Sequence, residues 1–473
     1  MLSPAHYQSY KNQSIALIGY GVTGKACTEF LLGKGASVSV FDKSFDSYSA
    51  SSKHLNFYPL DDSVSLTRFD TVVVSPGVNL QQAFIKNFQA SGQHNSKQVI
   101  GDIELFAREL EIQNKQKAAF QKATKVIAIT GSNGKSTVVD MLAKAFTKSG
   151  LRVALGGNFG TSALSLLSQD YDLIVLELSS FQLESTYSLK PDVACILNIS
   201  ADHLDRHGNI QNYTAIKHRI FQNADQIIYN RDDDLTKPIG LLPSYSFGLN
   251  MPEDSISGHH FYQTAAGIYC NNDLVLDIDK LKSSSQFQLL NMQVVLACAH
   301  ILNAKLLPVV DTLIAYVGLH HRFEVIHKKA NVVWINDSKA TNPGACLAAL
   351  ESASLQYQHI ILIAGGDAKG ADASILANVI EQHVDMMLLI GKDAALFTQF
   401  NIPFQYASSM DEAVGKANEY IQSLPIQDSE STVSLKPSIA VLLSPACASI
   451  DMFKNYQERG DLFCQAVHDQ VAA

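Results

Sequence analysis

The chain holds 473 residues, 47% of them hydrophobic and 17% charged, a length that calls for ~2–4 domains with large apolar cores. A formal net charge of −9 excludes a nucleic-acid binder that works by bulk electrostatics, while leaving room for a local basic pocket. No apolar run approaches the ~20 residues of a membrane helix. Met1-Leu-Ser-Pro-Ala-His6 lacks the charged-then-apolar pattern of a secretory leader, and the seven cysteines, scattered and without a C-x-x-C pair, suit buried thiols in a reducing cytoplasm. A cytoplasmic protein without a membrane or nucleic-acid partner is expected.

The first motif is Ser14-Ile-Ala-Leu-Ile-Gly-Tyr-Gly-Val-Thr-Gly24, a strand running into G-x-G-x-x-G. A helix and a second strand, Ser37–Asp42, complete a βαβ unit, with Asp42 placed for a ribose hydroxyl. The pattern calls for a Rossmann-like domain with a diphosphate-bearing ligand and leaves the ligand open. Asp70–Ser75 reads as a buried strand. Asp102–Leu110 reads as a helix capped at Asp102, and the polar stretch Gln113–Lys117 as the first domain boundary.

Val126-Ile-Ala-Ile-Thr-Gly-Ser-Asn-Gly-Lys-Ser-Thr137 organises the centre of the chain. A β-branched strand enters a glycine turn, and Val138–Phe146 follows at helical spacing. Strand, glycine turn, Lys-Ser/Thr and helix make a phosphate cradle: inward backbone N–H groups, the positive end of a helix, and Lys135 for the outer phosphates. The hydroxyl of Ser136 or Thr137 is placed for Mg2+. Ile129 stands where the usual first glycine would be, so the loop is a shorter one anchored on Gly131 and Gly134.

Asp172–Ser179 is an apolar strand carrying Glu177 near its end. Burying that carboxylate without a cation would be costly, which points to a magnesium role. Ala194–Ile199 is another strand, and it ends in a loop dense in Asp and His, Ser200–His207, which suggests a further part of the site. Lys217 reads from pattern alone as a lysine on a helix flank. Residues 228–290 read as a small β-rich insertion, a helix is expected at Asn291–Leu302, and a second boundary falls near Gly318–Glu324.

The last third repeats the α/β rhythm. Val332–Asn336, Ile360–Ala364, Met386–Ile390 and Ile439–Leu443 read as strands with polar residues at their carboxyl ends, a doubly wound sheet with a functional edge. Gln427–Lys436 reads as a loop.

Ile129–Thr137, Leu178-Ser-Ser-Phe-Gln-Leu-Glu184, Asp202-His-Leu-Asp-Arg206, His321-Arg-Phe-Glu324, Asn336-Asp-Ser-Lys-Ala-Thr-Asn342, Gly365-Gly-Asp-Ala-Lys369 and Leu443–Ser449 together resemble the Mur ligases, in unbroken order over nearly the whole chain. The resemblance implies an α/β protein of three domains: residues 1–114, Rossmann-like, for a UDP-sugar; 115–318, an ATPase-type phosphate-loop domain; and 319–473, a C-terminal doubly wound domain for ATP and amino acid. It implies ATP-dependent addition of D-glutamate to UDP-N-acetylmuramoyl-L-alanine by a cytoplasmic monomer that builds the peptidoglycan precursor. Sister ligases that add other amino acids are the nearest alternatives.

The resemblance further implies ATP contacts at Gly131, Asn133, Gly134, Lys135, Ser136, Thr137, Asn291, Arg322 and Asp337. It implies two Mg2+ ions served by Ser136, Glu177, His203 and an N-carboxylated Lys217, with Lys135, His203 and Lys217 as the catalytic set. The UDP-sugar falls to Val22, Thr23, Asp42, Ser75 and Asn158, and the amino acid to Lys339, Thr341, Lys369, Ser449 and Tyr456. Three positions depart from the family pattern: Lys43-Ser44 in place of Thr-Arg, Ala201 in place of an acid, and Tyr456 in place of phenylalanine.

Overall fold

The structure, a computed structural model, describes residues 10–45, 52–61, 63–91, 98–117, 122–240, 244–252, 258–281, 285–424 and 439–472. The N-terminal hexapeptide and the loop expected at 427–436 lie outside these residues. The chain divides into two compact units, residues 1–199, 211–282 and 290–315 in one and 200–210, 283–289 and 316–473 in the other. The first unit holds two sheets and the second unit one.

The first sheet is built from β1 (Ser14–Ile18), β2 (Ser37–Asp42), β3 (Leu55–Pro59), β4 (Thr71–Val74) and β5 (Val99–Ile100). Its order is β3-β2-β1-β4-β5 and every pairing is parallel. The order reverses between β1 and β4, so the crevice beyond their carboxyl ends is where such a sheet takes a ligand. The glycine fingerprint lies there. A Cβ on Gly24 would sit 2.1 Å from the backbone oxygen of Gly19, so the helix Val22–Gly33 can approach β1 this closely only with glycine at that position.

The second sheet comprises β6 (Lys125–Thr130), β7 (Val153–Gly157), β8 (Leu173–Glu177), β9 (Val193–Ile196), β10 (Gln226–Asn230), β11 (Ser244–Phe247), β12 (His259–Gln263), β13 (Gly267–Cys270) and β14 (Asp273–Asp277), in the order β14-β13-β12-β11-β10-β9-β6-β8-β7. The pairings from β7 to β12 are parallel, and β13 and β14 are antiparallel. The expected insertion at 228–290 is therefore not a separate module. Its strands add successively to the edge of the nucleotide-binding sheet, a placement that short, alternating strand pieces do not announce.

The third sheet runs β15-β16-β20-β17-β18-β19, from β15 (Glu324–Lys329), β16 (Val332–Asn336), β17 (His359–Gly365), β18 (Val384–Ile390), β19 (Phe404–Tyr406) and β20 (Ile439–Leu443). All pairings but β15–β16 are parallel. Ile360, Leu362 and Ala364 of β17 join the core on one face, and Ile361 and Ile363 join the core on the other. A strand buried on both faces reads as an unbroken apolar run, which is why these strands are visible in the sequence.

Local readings shift in two places. Asp102 is the first residue of the helix Asp102–Lys117 rather than its cap, and the polar stretch 113–117 is the last turn of that helix. The helix expected at 291–302 runs from Gln286 to Ile301, because Ser285 Oγ accepts from the backbone of Gln288 and caps it a turn and a half earlier. All seven cysteines are free thiols, and no helix among the described residues is long and apolar enough to cross a membrane.

Gly24→Ala is expected to lower stability by about 1–3 kcal/mol, read as a drop in the thermal unfolding midpoint. An unchanged midpoint would show that the helix stands further from β1 than the backbone contact requires.

Candidate active site

In the first sheet, Asp42 ends β2. Its Oδ2 accepts from the backbone of Tyr20 at 2.7 Å and its Oδ1 from the backbone of Ser44 at 2.8 Å. Ser75, just past β4, donates from Oγ to the Gly19 carbonyl at 2.8 Å. The two side chains hold the glycine turn from either side, and Val22, at its tip, is 84% exposed. Thr23 follows in the first turn of the helix Val22–Gly33. Four of the five residues expected to meet the UDP-sugar thus sit along one strand-end crevice, and the fifth, Asn158, lies in the second sheet against Glu177.

The phosphate loop joins β6 to the helix Lys135–Lys148. Gly134 takes φ +81°, and a Cβ there would come within 2.9 Å of Asn291 Oδ1, so Asn291 lies against the loop. Lys135 Nζ folds back to the carbonyls of Gly131 and Ser132, each at 2.8 Å. Asn198, two residues beyond the end of β9, brackets the loop: its Oδ1 accepts from Asn133 N at 2.8 Å and its Nδ2 donates to Asn133 O at 3.3 Å.

Glu177, 2% exposed at the end of β8, has both oxygens engaged. Ser136 Oγ donates to Oε2 at 2.5 Å and Asn158 Nδ2 donates to Oε1 at 2.7 Å. Both donors are neutral, so neither offsets the charge of a carboxylate in this buried position, where a hard divalent cation would. Carboxylate and hydroxyl oxygens are the donor chemistry Mg2+ takes.

Lys217 overturns its sequence reading as a flank lysine. It is 1% exposed, donates to Gly131 O at 2.9 Å and to Thr130 Oγ1 at 3.4 Å, and lies 4.6 Å from the centre of the Tyr213 ring. Tyr213 Oη meets Ser132 Oγ at 3.2 Å. Tyr213 and Asn198 are site residues that sequence reasoning missed. The available signals were the i, i+4 spacing of Tyr213 to Lys217 on one helix face and the polar residue closing the apolar run 194–197.

The remaining expected residues lie in the second unit. His203 adopts φ +53° and its Nε2 is 3.7 Å from Asp202 Oδ2. Asn342 Nδ2 reaches the same oxygen at 3.4 Å. Asp337 follows β16, accepting from Ser444 Oγ at 2.9 Å and from Phe323 N at 3.1 Å. Burial pushes its carboxyl up to about 7, against the hydrogen bonds of Ser444 and Phe323 and the positive charges of Arg322 and Arg459.

Lys339 Nζ stands 4.0 Å from the centre of the Tyr456 ring, and the Thr341 backbone turns back onto Lys339 O. Lys369 takes φ +49° in the loop after β17, where its N–H bonds Asp367 Oδ1. Ser449, 4% exposed, lies in the loop after β20, next to the Asp367–Ala448 bridge. The carboxyl edge of the third sheet thus brings together Asp337, Lys339, Thr341, Lys369 and Ser449 from the loops after β16, β17 and β20, with Tyr456 opening the following helix.

Two outcomes follow. Asn158→Ala removes the donor to Glu177 Oε1 and is expected to cost about 1–3 kcal/mol, measured by chemical denaturation; no loss would refute that bond. Asp337 has a folded pKa of about 7, above the ~4 of an unfolded aspartate. The native state therefore binds the extra proton between those values, and stability falls as pH rises from about 4 to about 7, by up to about 1.4 kcal/mol per pH unit from this group. In Asp337→Asn that slope should flatten, and an identical stability–pH curve would contradict the assignment.

Comparison with known proteins agrees with this geometry. Residues 13–97 match the Mur ligase MurD-like N-terminal domain, 129–299 the Mur ligase middle domain, and 321–429 the Mur ligase glutamate ligase domain. The UDP-N-acetylmuramoylalanine–D-glutamate ligase of Pasteurella multocida is 37% identical over 466 residues, 96% of this chain and 98% of that one. The protein of that name from Pseudomonas savastanoi pv. phaseolicola is 38% identical over 462 residues, 95% of this chain and 97% of that one. Among solved structures, MurF ligase from Thermotoga maritima in complex with ADP shares the fold, with a TM-score of 0.58, 14% identity, and coverage of 98% of this chain and 96% of that one. With relatives this similar over nearly its full length, and with a phosphate loop, a buried Glu177 and a buried Lys217 gathered in one unit, the chain belongs to the Mur ligase family.

Proposed function

We propose that this chain joins D-glutamate to UDP-N-acetylmuramoyl-L-alanine at the expense of ATP, a step of peptidoglycan precursor synthesis. The observation that carries the reading is the phosphate loop with its buried carboxylate, in a chain that aligns almost end to end with D-glutamate ligases. A carboxylate does not acylate an amine unaided. The alanyl carboxylate attacks the γ-phosphate of ATP to give an acyl phosphate, and the D-glutamate amine then displaces phosphate through a tetrahedral intermediate.

The chain's residues divide this work. Backbone N–H groups at Gly131, Asn133, Gly134 and Thr137 and the ammonium of Lys135 neutralise charge that shifts between the transferring and leaving oxygens. Asn291, Arg322 and Asp337 hold the rest of ATP. Ser136, Glu177, His203 and a carboxylated Lys217 would hold Mg2+, which when bound would supply positive charge to the same oxygens. Carboxylation converts a cation into an anionic oxygen ligand, which gives a lysine a reason to be buried beside a metal.

Val22, Thr23, Asp42 and Ser75 bind the uridine nucleotide, and Asn158 the sugar–alanine portion. Lys339, Thr341, Lys369, Ser449 and Tyr456 bind D-glutamate. The working division is 1–114, 115–318 and 319–473, in a cytoplasmic monomer.

The test is phosphate release from ATP and Mg2+ with UDP-N-acetylmuramoyl-L-alanine and one amino acid at a time. Release that requires both the UDP-sugar and D-glutamate is expected. Release with a different amino acid would leave the ligase chemistry and reassign the substrate. Lys135→Ala should lower turnover by ~100-fold or more, and unchanged turnover would refute the phosphate-cradle role.

A further inference from the structure

One buried cation stands outside every role assigned so far. Arg459, on the helix Tyr456–Val467, is 0% exposed. Burying a guanidinium is costly unless its donors are met, and here they go to two loops. Nε donates to Ser338 Oγ at 3.0 Å, Nη2 to Ser338 O at 2.8 Å, and Nη1 to Cys447 O at 3.1 Å. Ser338 Oγ in turn donates to Tyr456 O at 2.8 Å, which closes a ring from the helix start through the 338 loop and back to the helix.

Ser338 lies between Asp337 and Lys339, and Cys447 lies two residues before Ser449. The two loops Arg459 grips are therefore the ones that carry three of the residues given to the amino acid. Asp337 is also tied across the same gap by Ser444 Oγ. The charged and titratable groups around Asp337 are Arg322, Arg459 and the Cys346 thiol. Arg459 itself feels Cys447, Asp451 and Asp337.

We propose that Arg459 is a positioning residue that straps the 337–341 loop to the 444–449 loop and sets the field at Asp337, and so fixes the geometry with which Lys339, Thr341 and Ser449 receive the amino acid. The assignment of those three residues to D-glutamate rests on the proposed function; the strap and the field do not. Lysine can supply the charge but not the planar, three-point grip, so the two effects are separable.

The experiment uses Arg459→Met and Arg459→Lys with two readouts. The first is steady-state kinetics. Arg459→Met should raise KM for D-glutamate by about tenfold, the loss of ~1.4 kcal/mol of binding, with KM for the UDP-sugar little changed. The second does not depend on activity. Trp334 is the only tryptophan, is 1% exposed, and lies 6.2 Å, centroid to centroid, from Phe463 on the same helix as Arg459. Its fluorescence is titrated with pH, and the transition is assigned to Asp337 by its loss in Asp337→Asn, because His327 pairs with Trp334 across the strands.

In Arg459→Met the Asp337 transition should move up by about half a pH unit or more. In Arg459→Lys it should stay near the wild-type value while KM for D-glutamate remains raised. A transition unmoved in Arg459→Met, or a KM for the UDP-sugar that rises as far as the KM for D-glutamate, overturns the proposal. If D-glutamate is not a substrate at all, the functional reading falls, and the fluorescence titration still decides whether Arg459 sets the field at Asp337.

Discussion

The structure depends on how it keeps charge buried at the ends of parallel strands. Glu177, Lys217 and Arg459 are each no more than 2% exposed, and Asp337 is buried deeply enough that its carboxyl rises to about 7. An isolated charge in such a position would cost several kcal/mol. Each is tolerated because loops at the carboxyl edge of a sheet present hydroxyls, amides and carbonyls that strand interiors have already spent on their ladders. The edges are therefore the places in this fold where ionic groups can be held rigid and ready, and the residues matched to substrate and nucleotide cluster there.

Rigidity at these edges is inherited from the apolar strands behind them. Glu177 ends a strand whose five residues are all buried, so its Cα is fixed by β6 and β7 on either side. Asn158 reinforces this from the neighbouring strand end, its backbone N–H donating to Glu177 O at 2.8 Å while its side chain holds Oε1. Orientation of the carboxylate is thus set twice, once by main chain and once by side chain. A site preorganised in this way spends less on ordering itself when charge arrives.

Much of this was legible in the sequence, and the limits have physical causes. The strands β6, β8, β16, β17, β18 and β20 announce themselves because both faces are buried. The phosphate loop announces itself because glycine, lysine and hydroxyl must fall at fixed offsets. Lys217 does not, because a buried lysine and a surface lysine look the same on a helix whose neighbours are Gln211, Asn212 and His218; only tertiary packing against Tyr213 and Gly131 O distinguishes them. Arg459 and Asn198 escaped for a related reason: they act on backbone groups of loops distant in sequence, and a carbonyl has no letter of its own. The strands β10–β14 misled because short half-buried strands carry no mark of which sheet they join.

The geometry around Gly131 carries the argument one step further. Two ammonium groups, those of Lys135 and Lys217, donate to the same carbonyl oxygen, at 2.8 Å and 2.9 Å. Like charges this close repel even in a partly polar surrounding, and the further acceptors, Ser132 O for Lys135 and Thr130 Oγ1 for Lys217, are neutral too. The helix Lys135–Lys148 adds the positive end of its dipole to the same spot. Ser136, in the first turn of that helix, bonds the carboxylate of Glu177 through its hydroxyl. Positive potential is thus concentrated where the loop's N–H groups converge. Carboxylation of Lys217, as proposed, would remove one of these two charges, and an incoming anion would exchange a weak carbonyl contact for a charge-assisted one at Lys135. Lys135 and the helix end behind it, more than the loop's shape, are what would suit this turn to a phosphate.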